Sequence, residues 1–205
     1  MFVDCQDCTL RTKAVFRPLT EDELRFTAAV KRNQTILGAR EHIFQAGDNG
    51  AHLYTLFDGW AYRYLSLGDG RRQILDFLLP GDLIGLHSPL TGRVRHSVCT
   101  ATQVSLCVLD GEPFRTAFQM QPELSAAILE TLLLEEARSD RRLLLLGRQR
   151  GTERLAYLML ELRDRLVSRG IGEADQCIIP LTYEQMADAT GLSRAQLGRG
   201  IKGPA

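Results

Sequence analysis

Little in this chain is in excess. Its 205 residues carry no net charge, with 25 Lys and Arg against 25 Asp and Glu, which argues against a protein that coats nucleic acid non-specifically. No apolar run approaches the ~20 residues of a membrane helix, so no membrane partner is expected. The N-terminus, Met1-Phe-Val-Asp-Cys5, offers neither a basic nor an apolar segment. A signal peptide is therefore not expected and a cytoplasmic location is. The five cysteines are too few, and odd in number, for a disulfide framework. The four histidines, at 42, 52, 87 and 96, form no His-x-His pair with a following Glu, so a metal-dependent β-barrel enzyme is not expected. What remains, 44% hydrophobic and 24% charged, is the balance of a globular protein of one large or two small domains.

The zero charge hides a division. Between Phe16 and Asp140 there are 12 bases and 16 acids, whereas from Arg141 to Ala205 there are 11 bases and 7 acids. An acidic body with a basic tail suggests that the C-terminal part meets a polyanion.

From about Leu37 to Leu109 the chain reads as short strands. His52–Phe57, Trp60–Leu65, Gln73–Leu78 and Val104–Leu109 are separated by Gly- and Asp-rich turns, the rhythm of an all-β sandwich or barrel. Gly68-Asp-Gly70 reads as a hairpin turn. After Pro113 the rhythm becomes helical: a short helix begins at Glu112-Pro113-Phe114, and a long one runs from Pro122 to about Leu146. Leu124, Ile128, Leu132, Glu135, Ser139, Arg142 and Leu146 share one face of it, an imperfect heptad seam expected to pair with a second copy. Gly147 and Gly151 bracket a hinge. A further helix carries Leu155, Leu158, Leu162 and Leu166 on one face, and Cys177–Leu181 reads as a short strand.

The C-terminal pattern is the most informative. Thr182-Tyr-Glu-Gln185 is a capping box that opens a short helix, and Gly191 stops it in a left-handed turn. Small Ala187 and plugging Leu192 let a second helix approach, opened by the capping box Ser193-Arg-Ala-Gln196. This is the helix-turn-helix pattern, whose second helix enters the DNA major groove. Ser193, Arg194, Gln196, Arg199 and Lys202 are the expected DNA contacts, with no acid among them.

A β-barrel, long helix, hinge and helix-turn-helix in this order resemble the Crp/Fnr regulators. Phe44-Gln-Ala-Gly47-Asp48, Gly59, Pro80-Gly-Asp-Leu-Ile-Gly85, Glu153-Arg154-Leu155 and the Leu181–Arg199 segment carry the resemblance. It implies an α+β protein: a cyclic-nucleotide-binding-type β jelly roll, a long dimerisation helix and a C-terminal winged helix-turn-helix. The chain reaches Gly200-Ile-Lys-Gly-Pro-Ala205 where the family continues into its wing, so the motif is expected to be partial. The implied divisions are an N-terminal cysteine segment over 1–20, a sensor roll over 21–115, a dimerisation helix over 116–147 and a DNA-binding part over 148–205. The implied partners are a second copy, a palindromic double-stranded operator and RNA polymerase.

The resemblance also points to the signal. In the roll, the effector position falls on Gly85, Leu86, Arg95, His96 and Ser97. The nucleotide-binding branch has Glu where Leu86 stands and Arg-Ser where His96-Ser97 stand, so a cyclic nucleotide is not expected. The fumarate–nitrate reduction branch carries an iron–sulfur cluster on four cysteines, and Cys5, Cys8 and Cys107 match three of them. The remaining position is Ala14. Three thiolates completed by Asp4, Asp7 or Cys99, thiol redox chemistry at Cys5 and Cys8, and no sensing at all stay open here. In the reading helix Arg199 is kept, while Ala195 and Gly198 replace that branch's Glu and Ser, so operator preference should differ. The alternatives are a sensor and dimerisation protein that no longer binds DNA, or a regulator with an unknown small effector in the roll.

Overall fold

The structure, a computed structural model, describes residues 3–13, 17–49, 52–86, 91–173 and 175–202. A single 3-10 turn, Thr9–Thr12, sinks Leu10 into the protein. Helix α1 (Glu21–Val30) follows, opened by a reciprocal box: Thr20 Oγ1 accepts from the Glu23 N–H at 3.2 Å and Glu23 Oε2 from the Thr20 N–H at 2.8 Å.

Among the described residues eight strands come next: β1 (Lys31–Leu37), β2 (His42–Phe44), β3 (His52–Asp58), β4 (Ala61–Ser66), β5 (Arg72–Leu78), β6 (Leu83–Ile84), β7 (Ser97–Thr100) and β8 (Val104–Asp110). They form two four-stranded sheets, ordered β1-β8-β3-β6 and β2-β7-β4-β5, with every pairing antiparallel. Strands next to each other in the sequence mostly lie in opposite sheets, which makes the two sheets a jelly roll. Leu56, Ala61, Leu78, Ile84, Val98, Val104 and Leu106 fill the space between them. The hairpin expected at Gly68–Gly70 joins β4 to β5, with Ser66 opposite Arg72 and Gly70 at φ 84°.

Besides the 3-10 turn, two elements lie outside the spans that the sequence pattern marks as strand or helix. The first is α1. The other is β1, a polar edge strand whose Lys-Arg-Asn-Gln-Thr run lacks the alternation of a half-buried strand; its partner β8 covers one side only. A third segment is corrected. Cys177–Leu181 forms no strand: Pro180 has no N–H, and the Leu181 N–H turns back to Ile179 O at 2.9 Å. Its alternation is real, but Cys177, Ile179 and Leu181 pack on a side-chain cluster instead of pairing in a sheet.

The helical half begins with α2 (Gly111–Met120) and α3 (Pro122–Arg148), the latter 27 residues and about 40 Å long at 1.5 Å per residue. The face expected to be the seam turns inward. Leu124, Ile128 and Leu132 pack with Val30, Leu53, Leu86 and Leu109 of α1 and the roll, and Glu135 accepts from Arg63 at 3.1 Å. The exposed apolar side chains are Leu129, Leu133, Leu134, Leu143 and Leu144. After a break at Gln149-Arg150 come α4 (Gly151–Ser168), α5 (Tyr183–Thr190) and α6 (Arg194–Lys202).

Candidate functional site

The α5–α6 hairpin is built as its caps dictate. Thr182 Oγ1 accepts from the Gln185 N–H at 3.2 Å, and Gln185 Oε1 from the Thr182 N–H at 2.8 Å. Gly191 sits at φ 64°, ψ 30°, a left-handed conformation that L side chains adopt only at a cost. A Cβ there would also stand 3.3 Å from both Arg154 Nη1 and Leu146 Cδ2. Ser193 and Gln196 form the second box, at 2.9 and 3.2 Å. Leu197, fully buried, anchors α6 against Leu155 and Ala187. Ser193, Arg194, Ala195 and Gln196 consequently face outward at the N-terminal end of α6. Arg199 and Lys202 lie on the same helix, their side chains outside the described residues. Arg194 reaches Glu184 at 2.9 Å, but both are exposed and such pairs are worth little.

This hairpin does not hang from a free hinge. Leu158, Leu162 and Leu166 of α4 interlock with Trp60, Tyr62, Ile74, Phe77, Leu79 and Cys99 of the roll. Each fully buried Leu is worth about 1.5–3 kcal/mol. Charges complete the joint. Arg165 donates to Asp76 at 3.0 Å and to Asp82 at 2.9 Å, and Arg169 to Asp82 at 2.6 Å. Burial alone would raise the Asp76 carboxyl, but Arg165, Arg142, Arg63 and Arg138 outweigh it and hold it well below the usual carboxylate range. On α5, Asp188 accepts from Arg72 of β5 at 2.5 Å, while Gln73 donates to Ala189 O at 3.1 Å. The Arg72 guanidinium also lies over the Tyr62 and Tyr64 rings. Neither strand alternation nor helix periodicity marks this joint. Asp76 inside the apolar run Ile74-Leu-Asp-Phe-Leu78 was its visible signal.

The effector position is only partly assembled. Gly85, Leu86 and His96 line one cavity with Arg63, Leu132 and Glu135, but it measures about 20 Å³, room for a single water. Arg95 does not join them; its side chain is exposed. Ser97 is occupied elsewhere, its Oγ accepting from the Ala46 N–H at 3.0 Å.

The cysteines fare differently. Cys5 and Cys8 on the N-terminal segment and Cys107 on β8 share the wall of a cavity of about 420 Å³ between that segment, α1, the roll and α3. Burial pushes the Cys5 and Cys107 thiols up, against the opposing charge of Lys31. Among the described residues no three His, Cys, Asp or Glu side chains are spaced as metal ligands. Asp4 and Asp7 add none, Ala14 lies outside the described residues, and Cys99 is buried in the joint between roll and α4. The three sulfurs thus meet at one cavity without making the ligand set that an iron–sulfur cluster needs.

Comparison with known proteins agrees with this architecture. Residues 35–121 match the family model described as a cyclic nucleotide-binding domain. The chain is 32% identical over 195 residues to the nitrogen fixation regulation protein FixK of Bradyrhizobium diazoefficiens, covering 95% of this chain and 81% of that one. It is 28% identical over 200 residues to the transcriptional activator protein FnrL of Cereibacter sphaeroides, covering 96% and 79%. Among solved structures it is similar to FixK2 from Bradyrhizobium japonicum, with a TM-score of 0.75 and 25% identity over 82% of each chain.

Proposed function

Because this chain belongs to the Crp/Fnr family of transcriptional regulators, we propose that it acts as a homodimer on palindromic operator DNA. The observation that carries this reading is α6: a capped helix with its buried side anchored by Leu197, and Ser193, Arg194 and Gln196 outward at its N-terminal end. Arg199 and Lys202 extend the proposed contacts. In this division of labour the cysteine segment, 1–20, and the roll, 21–115, together form the sensor; 116–147 dimerises; and 148–205 reads DNA. The seam is the exposed stripe of Leu129, Leu133 and Leu144 on α3, since two such stripes cover each other. RNA polymerase is the further partner that family membership supports, and the cytoplasm is where such a regulator acts. No described helix is long and apolar enough to cross a membrane.

The signal is proposed to enter through residues 1–20. A response to redox state through Cys5, Cys8 and Cys107 is supported by their meeting at one cavity. It is proposed at the level of the sulfurs and not of a cluster, for which the residues present do not fit.

The experiment is selection of duplexes from a random pool, followed by mobility shift over a range of salt. Recovery of an inverted repeat, bound more tightly than random DNA at every salt and weakened by Arg194→Ala and Arg199→Ala, is the expected result. Affinity equal to that for random DNA throughout would instead identify a sensor and dimerisation protein without DNA recognition. Comparing the shift after thiol reductant and after peroxide, with Cys5→Ser as control, tests the redox input.

A further inference from the structure

The roll and the N-terminal segment offer very unequal cavities. The site at Gly85 and His96 holds about 20 Å³, whereas the one under the N-terminal segment holds about 420 Å³, within the range of small-molecule sites. Its walls are largely apolar, with Leu24 of α1, Leu109 of β8, and Leu124 and Leu134 of α3. The polar end is cationic. Lys31 donates its Nζ to Val3 O, and Arg11 donates Nη1 to Cys5 O and Gln6 O at 3.2 and 3.0 Å. Arg11 Nε is buried with no protein partner, a state that costs free energy unless something accepts from it. Arg17 also lines the cavity but is paired with Glu23. Glu130 of α3 contributes the opposing charge. Burial raises the Cys5 and Cys107 thiols and so favours their uncharged form.

We propose that this cavity is a binding site for a small organic carboxylate with an apolar body, the carboxylate held by Lys31 and Arg11 and the body between α1, β8 and α3. An iron–sulfur cluster, which family resemblance places at these cysteines, does not fit the ligand set present. An apolar anion fits both the walls and the charge. Ala127 and Thr131 of α3 belong to the same wall, so occupancy would press on the helix that carries the exposed stripe of Leu129 and Leu133. The inference rests on the reading of this cavity as the place of signal entry.

The test is calorimetric titration of the full chain with octanoate and, separately, octanamide, which has the same body without the charge. Octanoate should bind about tenfold more tightly, the contribution of a charge-assisted pair. Lys31→Met should reduce the preference, since Arg11 remains, and Ala127→Phe, which fills the cavity from α3, should remove both bindings. Equal affinity for the two probes, or octanoate binding that survives Ala127→Phe, overturns the proposal. So does uptake of iron and sulfide under anaerobic reconstitution with loss of octanoate binding. Because no DNA is present, failure here is distinct from failure of operator selection: each result can stand without the other.

Discussion

Arg142 of α3 places Nη2 2.7 Å from Asp76 Oδ1 of β5. The same atom is 2.7 Å from Glu161 Oε1 of α4, and Nη1 donates to Leu75 O. One guanidinium thus joins the roll, the long helix and the helix that carries the α5–α6 hairpin. Asp76 is surrounded by Arg165 at 3.0 Å, Arg63 at 3.7 Å and Arg138 at 3.8 Å. A shift of α3 along its axis must therefore either carry α4 with it or break buried charge pairs.

Removing the centre of that network strands several guanidiniums in a dry site. Asp76→Asn should cost about 3–5 kcal/mol, as breaking a buried pair does. The urea midpoint should fall while the slope of the transition stays constant. A loss below about 1 kcal/mol would mean that water reaches the joint.

Glu23 makes part of the fold's stability sensitive to acid. Its hydrogen bond from Arg17 lowers the carboxyl from 4.5 to about 2, against the effect of burial. A depressed folded-state value stabilises above the unfolded value and is lost as pH falls through the folded one. Stability should therefore decline between about pH 4.5 and 2, and Glu23→Gln should flatten that decline while lowering stability at pH 7. Urea midpoints of both chains across that range check the sign.

Leu133 and Leu144 are 55% and 53% exposed in the single chain. If they form the seam, Leu133→Glu with Leu144→Glu should give a monomer in sedimentation equilibrium with unchanged helix content. Operator affinity should fall by far more than tenfold, because two half-sites are no longer held together. A dimer that survives both changes places the seam elsewhere.

The thiols at the cavity should be slow. Since burial raises Cys5 and Cys107, their alkylation by iodoacetamide at pH 7 should lag behind the same residues in urea. The gap should narrow as pH rises and thiolate forms. Mass spectrometry of timed samples reports each cysteine separately, and equal rates at pH 7 would rule out their burial.

Local structure was legible where a residue's chemistry acts on its own neighbours. Thr182 with Gln185, Ser193 with Gln196, and Gly191 at positive φ are satisfied within a few residues, so the helical hairpin could be read directly. Strands β3, β4, β5 and β8 were legible for the same reason, through alternation and Gly-Asp turns. The edge strand β1 and the segment from Cys177 to Leu181 were not. A strand depends on a partner far away in the chain, and apolar alternation also serves packing on a side-chain cluster.

The face of α3 shows the limit most clearly. Periodicity placed Leu124, Ile128, Leu132, Glu135, Ser139, Arg142 and Leu146 on one face, and of these only Ser139 is exposed. It could not say whether that face meets a second copy or the chain's own roll, because a helix stripe is equally apolar for either. The sequence by itself determined the capped hairpin, the β-rich roll, the long helix and an acidic body with a basic tail. Only the tertiary structure decided that Arg142 turns inward to Asp76, that Gly85, Leu86 and His96 line a cavity of about 20 Å³, and that three cysteines 102 residues apart at their extremes share one cavity. The physical reason is that burial, and the pairing of charges that burial demands, belong to the space between elements and to no element alone.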